Sequence, residues 1–111
     1  MTAPTGEGDR VNLTIAIDFD DTFGADPATF REAVKAFQAA GHQCILITNR
    51  PEDMGNDVRA EVGDLMPIVF AGEWSKRAMA AQSGYRVDIW IDDHPQWIDE
   101  DGLTYIGKDR P

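Results

Sequence analysis

Hydrophobic positions along this chain alternate between two patterns, continuous short runs and helical spacing. Val11 to Ile17, Val-Asn-Leu-Thr-Ile-Ala-Ile, is an apolar, β-branched run and predicts a strand. Asp26-Pro27 then supplies an N-cap followed by proline at the first helical position, and Phe30, Val34 and Phe37 recur at helical spacing until Gly41. Cys44 to Ile47 is apolar at every position, the pattern of a strand buried on both faces. A second helix is expected from after Pro51 to about Val62, across Gly55. A third strand follows at Pro67–Ala71, and a third helix at Trp74–Gln82, closed by Gly84. Val87–Ile91 reads as a fourth strand, Pro95–Ile98 as a helical turn, and Leu103–Ile106 as a short fifth strand.

Strands alternating with helices predict an α/β fold. The expected architecture is a three-layer, doubly wound, Rossmann-like parallel sheet of about five strands, with helices on both faces. The length of 111 residues fits one domain, expected over 11–111 behind a flexible tail over 1–10. In such sheets ligands bind beyond the carboxyl ends of the strands, where the strand order reverses. The residues just past the first four runs are Asp18-Phe19-Asp20, Thr48-Asn49-Arg50, Gly72-Glu73 and Asp92-Asp93. Three of those four sets are polar and reactive, so the chemistry is expected there.

Composition narrows the candidates. The net charge of −10 counts against tight non-specific binding to nucleic acid, which depends on phosphate neutralisation by Lys and Arg. The same acidity suits a cation site. One cysteine, Cys44, sits inside an apolar run and reads as a buried thiol. The polar N-terminus lacks the layout of a signal peptide, and no segment has the length of a membrane span, so a cytoplasmic protein with no membrane partner is expected.

The two acidic clusters carry the strongest signal. Asp18, Asp20 and Asp21 lie within four residues, and Asp92-Asp93 ends the fourth strand. If the first and fourth strands are neighbours, these carboxylates converge and repel unless a cation joins them. A hard divalent ion such as Mg²⁺ answers that need, taking carboxylates, waters and phosphate oxygens. A calcium loop fails, because its sixth position is Phe23 rather than Gly and its twelfth is Thr29 rather than Glu. Thr48, with backbone N–H groups at a strand end, suits an anion. Arg50 is a candidate substrate-binding fork, and Lys76 on the third helix a candidate partner for the carboxylates and a phosphate oxygen.

Taken in order, Asp18-x-Asp20-x-Thr22, Thr48, a helical Lys76 and Asp92-Asp93 resemble the four motifs of the haloacid dehalogenase-like (HAD) hydrolase superfamily, across roughly residues 13–93. The resemblance implies a HAD-like fold and a Mg²⁺-dependent phosphatase acting on a phosphate monoester. Asp18 would be the nucleophile that becomes an aspartyl-phosphate, and Asp20 the general acid and then base. Thr48, Asn49 and Lys76 would bind the phosphoryl group. Asp18, Asp92, Asp93 and the backbone carbonyl of Asp20 would bind the metal. Members that cleave carbon–halogen bonds lack an acid at the second aspartate, so Asp20 favours phosphate esters. The short spacing from Asp18 to Pro27 and from Thr48 to Lys76 leaves no room for the superfamily's usual cap domain.

A capless site is open to solvent unless a homo-oligomer covers it. Expected substrates are a nucleotide, another small phosphoester or a polynucleotide end, since the Thr-Asn-Arg and Ile-Asp-Asp motifs are also similar to polynucleotide 3′-phosphatase domains. The alternative is a non-hydrolytic, metal-binding or phospho-accepting interaction module of the same fold. A receiver domain proper is disfavoured, because its acceptor aspartate follows the third strand, where this chain has Ala71-Gly72.

Overall fold

The computed structural model describes residues 12–100. The expected tail over 1–10 and the expected fifth strand at Leu103–Ile106 lie outside the described residues. Within them, four strands alternate with four helices: β1 (Thr14–Asp18), α1 (Pro27–Ala39), β2 (Gln43–Thr48), α2 (Asn56–Val62), β3 (Ile68–Phe70), α3 (Lys76–Gln82), β4 (Ile89–Ile91) and α4 (Gln96–Asp99). The strands form one all-parallel sheet in the order β3-β2-β1-β4. The fold is therefore α/β with helices flanking a parallel sheet, compatible with a Rossmann-like architecture.

The strand order explains the two helical layers. The chain steps one way through β1, β2 and β3, then crosses back over the sheet to place β4 on the far side of β1. Parallel crossovers share one hand, so reversing the direction of travel moves the connecting helix to the opposite face. Accordingly, Ile15, Ile17, Cys44 and Leu46 pack with Val34 of α1 and Val58 and Val62 of α2 on one face. The alternate positions Ala16, Ile45 and Ile47 pack with Val69 and with Ala80 of α3 on the other. β1 and β2 are thus buried on both faces, which is why they read as continuous apolar runs. Cys44 is buried among them, and burial pushes its thiol pKa up.

Local signals fix the element ends. The Asp26 side chain accepts a hydrogen bond from the Thr29 N–H at 3.3 Å, and Pro27 opens α1. Gly41 takes the left-handed φ of 96° that lets the chain leave α1 and enter β2. The helix expected directly after Pro51 is divided: a 3-10 turn at Glu52–Met54 precedes α2. The division falls at Gly55, whose Cα lies so close to the Phe70 ring that a Cβ would collide with it. No helix among the described residues is long and apolar enough to cross a membrane.

Candidate active site

β1 ends in Asp18 because the acidic run after it cannot continue an interior strand. The chain turns instead: the N–H groups of Thr22 and Gly24 donate to the Phe19 carbonyl at 3.2 and 2.8 Å. Asp21 adopts a left-handed φ of 62°, which aspartate tolerates better than most residues. Phe23 anchors the turn from below, fully buried and with ring centroids 6.3 Å from Phe19 and 5.8 Å from Phe30. The turn separates two neighbouring carboxylates, burying Asp18 while leaving the Asp20 side chain 52% exposed.

The pairing of β1 with β4, Ile17 opposite Ile91, brings Asp18 beside Asp92 and Asp93. Carboxylate oxygens of these three residues all lie within 4.8 Å of one another. Lys76, the first residue of α3, places its Nζ between two of them, 2.7 Å from Asp18 Oδ1 and 2.6 Å from Asp92 Oδ2. The lysine is only 2% exposed, so both pairs are shielded from water. Asp92 Oδ1 also accepts from the His94 N–H at 2.8 Å. The Thr22 hydroxyl lies 3.1 Å from Asp93 Oδ1 and 3.3 Å from Asp18 Oδ2, and with one proton it can donate to one at a time.

The end of β2 completes the site. Thr48 is buried, and its Oγ1 accepts from the Arg50 N–H at 3.1 Å; its own proton has no acceptor among the described residues. Asn49 donates through Nδ2 to the carbonyls of Gly72 and Trp74, each at 3.2 Å. That tether holds the loop leading to α3, which Ser75 then caps by accepting from the Ala78 N–H at 3.0 Å, and so sets the position of Lys76. Arg50 grips Asp20 side-on, Nη2 to Oδ1 at 2.7 Å and Nε to Oδ2 at 3.1 Å.

A cleft of about 340 Å³ opens over these groups. Asp18, Asp20, Thr48, Asn49, Arg50, Lys76, Asp92 and Asp93, the residues singled out from the sequence, all line it. Asp21, Pro51, His94 and Trp97 line it as well, and the His94 and Trp97 rings approach with centroids 4.4 Å apart. Among the singled-out carboxylates, the side chain of Asp20 stands apart from the Asp18, Asp92 and Asp93 group, turned to Arg50. Thr22 stands in the Asp-x-Asp-x-Thr pattern with no role expected for it, and Asp57 sits on a helix without any motif to mark it.

No family model, curated protein or solved structure matches this chain. Its geometry therefore carries the functional reading.

Burial raises the Asp18 pKa from 3.8 to about 7; the charge and hydrogen bond of Lys76 oppose this, and the Asp92 carboxylate adds to it. Burial also acts upward on Asp93, but hydrogen bonds from Asp18 and Thr22 outweigh it and hold that carboxyl below the usual range. Between pH 3.8 and about 7 the folded metal-free protein therefore holds a proton on Asp18 that the unfolded chain releases. Stability from this group is complete below the unfolded pKa and is lost as pH rises through the folded one, a change on the order of a few kcal/mol. The thermal midpoint of chelator-treated protein is expected to fall from pH 5 to pH 8, and Asp18→Asn should flatten that slope. An equal slope in both proteins would remove Asp18 as its source.

The donor set suits a hard divalent cation. It offers carboxylate oxygens alone, with no sulfur or imidazole in the group, and it already draws the Lys76 ammonium between two of its members.

Proposed function

We propose that this protein is a Mg²⁺-dependent phosphatase of the HAD-like type, hydrolysing a phosphate monoester through an aspartyl-phosphate on Asp18. The observation that carries the reading is the meeting of Asp18, Lys76, Asp92 and Asp93 at the point where the strand order of a parallel sheet reverses. Asp20 lies two residues past Asp18 on the wall of the same cleft. Asp18, Asp92 and Asp93, with the Asp20 backbone carbonyl, would hold Mg²⁺. When bound, the ion would neutralise the crowded carboxylates and the phosphoryl oxygens.

In this reading an oxygen of Asp18 attacks phosphorus in line and the ester P–O bond breaks, while Asp20 gives a proton to the departing alcohol oxygen. Water then attacks the aspartyl-phosphate at phosphorus. Asp20 takes its proton, the acyl-phosphate P–O bond breaks, and inorganic phosphate leaves with Asp18 restored. Lys76 and the Thr48 hydroxyl stabilise the transferred group, both already fixed by buried contacts. Only a 3-10 turn separates β1 from α1, and only a 3-10 turn and α2 separate β2 from β3. Substrate would thus reach the cleft from solvent without an inserted cap to open.

Release of p-nitrophenol from p-nitrophenyl phosphate is expected with Mg²⁺, lost on chelation and restored by adding the ion back. Folded, metal-binding protein that turns over no member of a panel of nucleotides, sugar phosphates and 3′-phosphorylated oligonucleotides would instead favour the non-hydrolytic module.

A further inference from the structure

Arg50 is occupied by carboxylates on all three nitrogens of its guanidinium. Nε and Nη2 hold the two oxygens of Asp20, and Nη1 holds Asp57 Oδ1 on α2. Its Cζ lies 5.3 Å from the centroid of the Phe19 ring, the residue between Asp18 and Asp20. Its backbone N–H binds Thr48. These carboxylates take three of its five N–H donors, so a two-point grip on phosphate would have to compete with contacts that already hold the fork.

We propose that Arg50, braced by Asp57, is the positioning residue for Asp20: it fixes the plane of that carboxylate so that a proton passes between Asp20 and the leaving oxygen. The proposal rests on the phosphatase reading. Asp20 is half exposed, on a short side chain whose carboxylate can rotate, so an unrestrained carboxylate would meet the leaving oxygen only part of the time. The side-on fork removes that freedom and leaves each oxygen a second lone pair for the proton. Asp20 and Asp57 push the guanidinium pKa further up, so the fork stays charged throughout the working pH range. Asp57 matters because it holds the far side of the guanidinium from a different element, so that Arg50 cannot swing with Asp20.

The test compares kcat/KM, which covers the steps through the first phosphoryl transfer, on p-nitrophenyl phosphate and on glycerol phosphate. Nitrophenolate leaves without a proton and the glycerol alkoxide does not. Arg50→Met is expected to lower kcat/KM on glycerol phosphate by roughly 10- to 100-fold while leaving the nitrophenyl ester within about 3-fold. Arg50→Lys, a point charge that cannot span both carboxylates, should fall between Arg50→Met and wild type. Asp57→Asn should show the same selective loss in smaller measure, and it keeps the test decisive if Arg50→Met does not fold. Equal losses on both esters overturn the positioning role: with a raised KM, Arg50 is a substrate ligand, and with a lowered thermal midpoint it is a packing residue. Wild type inactive on both esters and on every member of the panel of nucleotides, sugar phosphates and 3′-phosphorylated oligonucleotides overturns the phosphatase reading and the role of Arg50 with it.

Discussion

Asp18→Asn is expected to abolish phosphoester turnover, by roughly 10⁴-fold or more, while leaving the fold intact and raising its metal-free stability at pH 8. The two effects have one cause. Asp18 is buried beside two other carboxylates, with a pKa of about 7, so at pH 8 the folded protein carries a charge there that burial opposes. Asparagine keeps the shape without the charge, and Lys76 retains Asp92 at 2.6 Å. The amide cannot attack phosphorus, and no neighbour replaces it, since Asp92 is held by Lys76 and the His94 N–H. Gain of stability with loss of activity is the expected signature of a group placed for chemistry rather than for folding. Turnover of p-nitrophenyl phosphate and thermal melts in chelator at pH 8 measure both. A variant that keeps turnover would remove Asp18 as the nucleophile.

Lys76→Met is expected to have the largest effect on stability, about 3–5 kcal/mol in the absence of metal at pH 8. Methionine suits the buried position in size, so little is lost in packing. What remains is a group of three carboxylates whose oxygens lie within 4.8 Å, without the ammonium that bridges two of them. Removing one partner of a buried ion pair is costly because the other charge stays buried and unpaired. Two conditions should restore stability. Acid should do so by protonating Asp18, and millimolar Mg²⁺ by standing in for the missing positive charge. Denaturant melts of the variant at pH 5.5 and 8, with and without Mg²⁺, distinguish these. Equal stability of variant and wild type under all four conditions would show that Lys76 does not hold the carboxylates together.

Much of this site was legible along the chain, though unevenly. Strand ends that are polar and reactive stood out at Asp18, Thr48 and Asp92-Asp93 because each closes an apolar run. Lys76 stood out only through its place in a motif order, since a lysine opening a helix is ordinarily solvated. Its position depends on the Ser75 cap beside it and on Asn49, which holds the loop before α3 from the end of β2, and nothing near Lys76 in sequence announces that second tie. Arg50 was read as a fork for substrate, and the structure engages it with Asp20 and Asp57. Asp57 could not be anticipated, because a carboxylate on an exposed helical turn looks like any solvated residue until Arg50, just past the end of β2, is placed beside it.

The sequence by itself determined the class of fold, the alternation of strand and helix, the buried character of β1 and β2, and the helix ends at Asp26-Pro27 and Gly41. Those features are local: hydrophobic period, capping chemistry and left-handed backbone act within a few residues. Only the tertiary structure decided that β4 lies against β1 rather than beyond β3, so that Asp92 and Asp93, distant in sequence, meet Asp18. Strand adjacency is a long-range choice, made by which helix packs on which face of the sheet. The fold then gave two carboxylates separated by a single residue different surroundings: the turn after β1 leaves Asp18 inward, where α3 brings Lys76, and Asp20 outward, where the end of β2 brings Arg50.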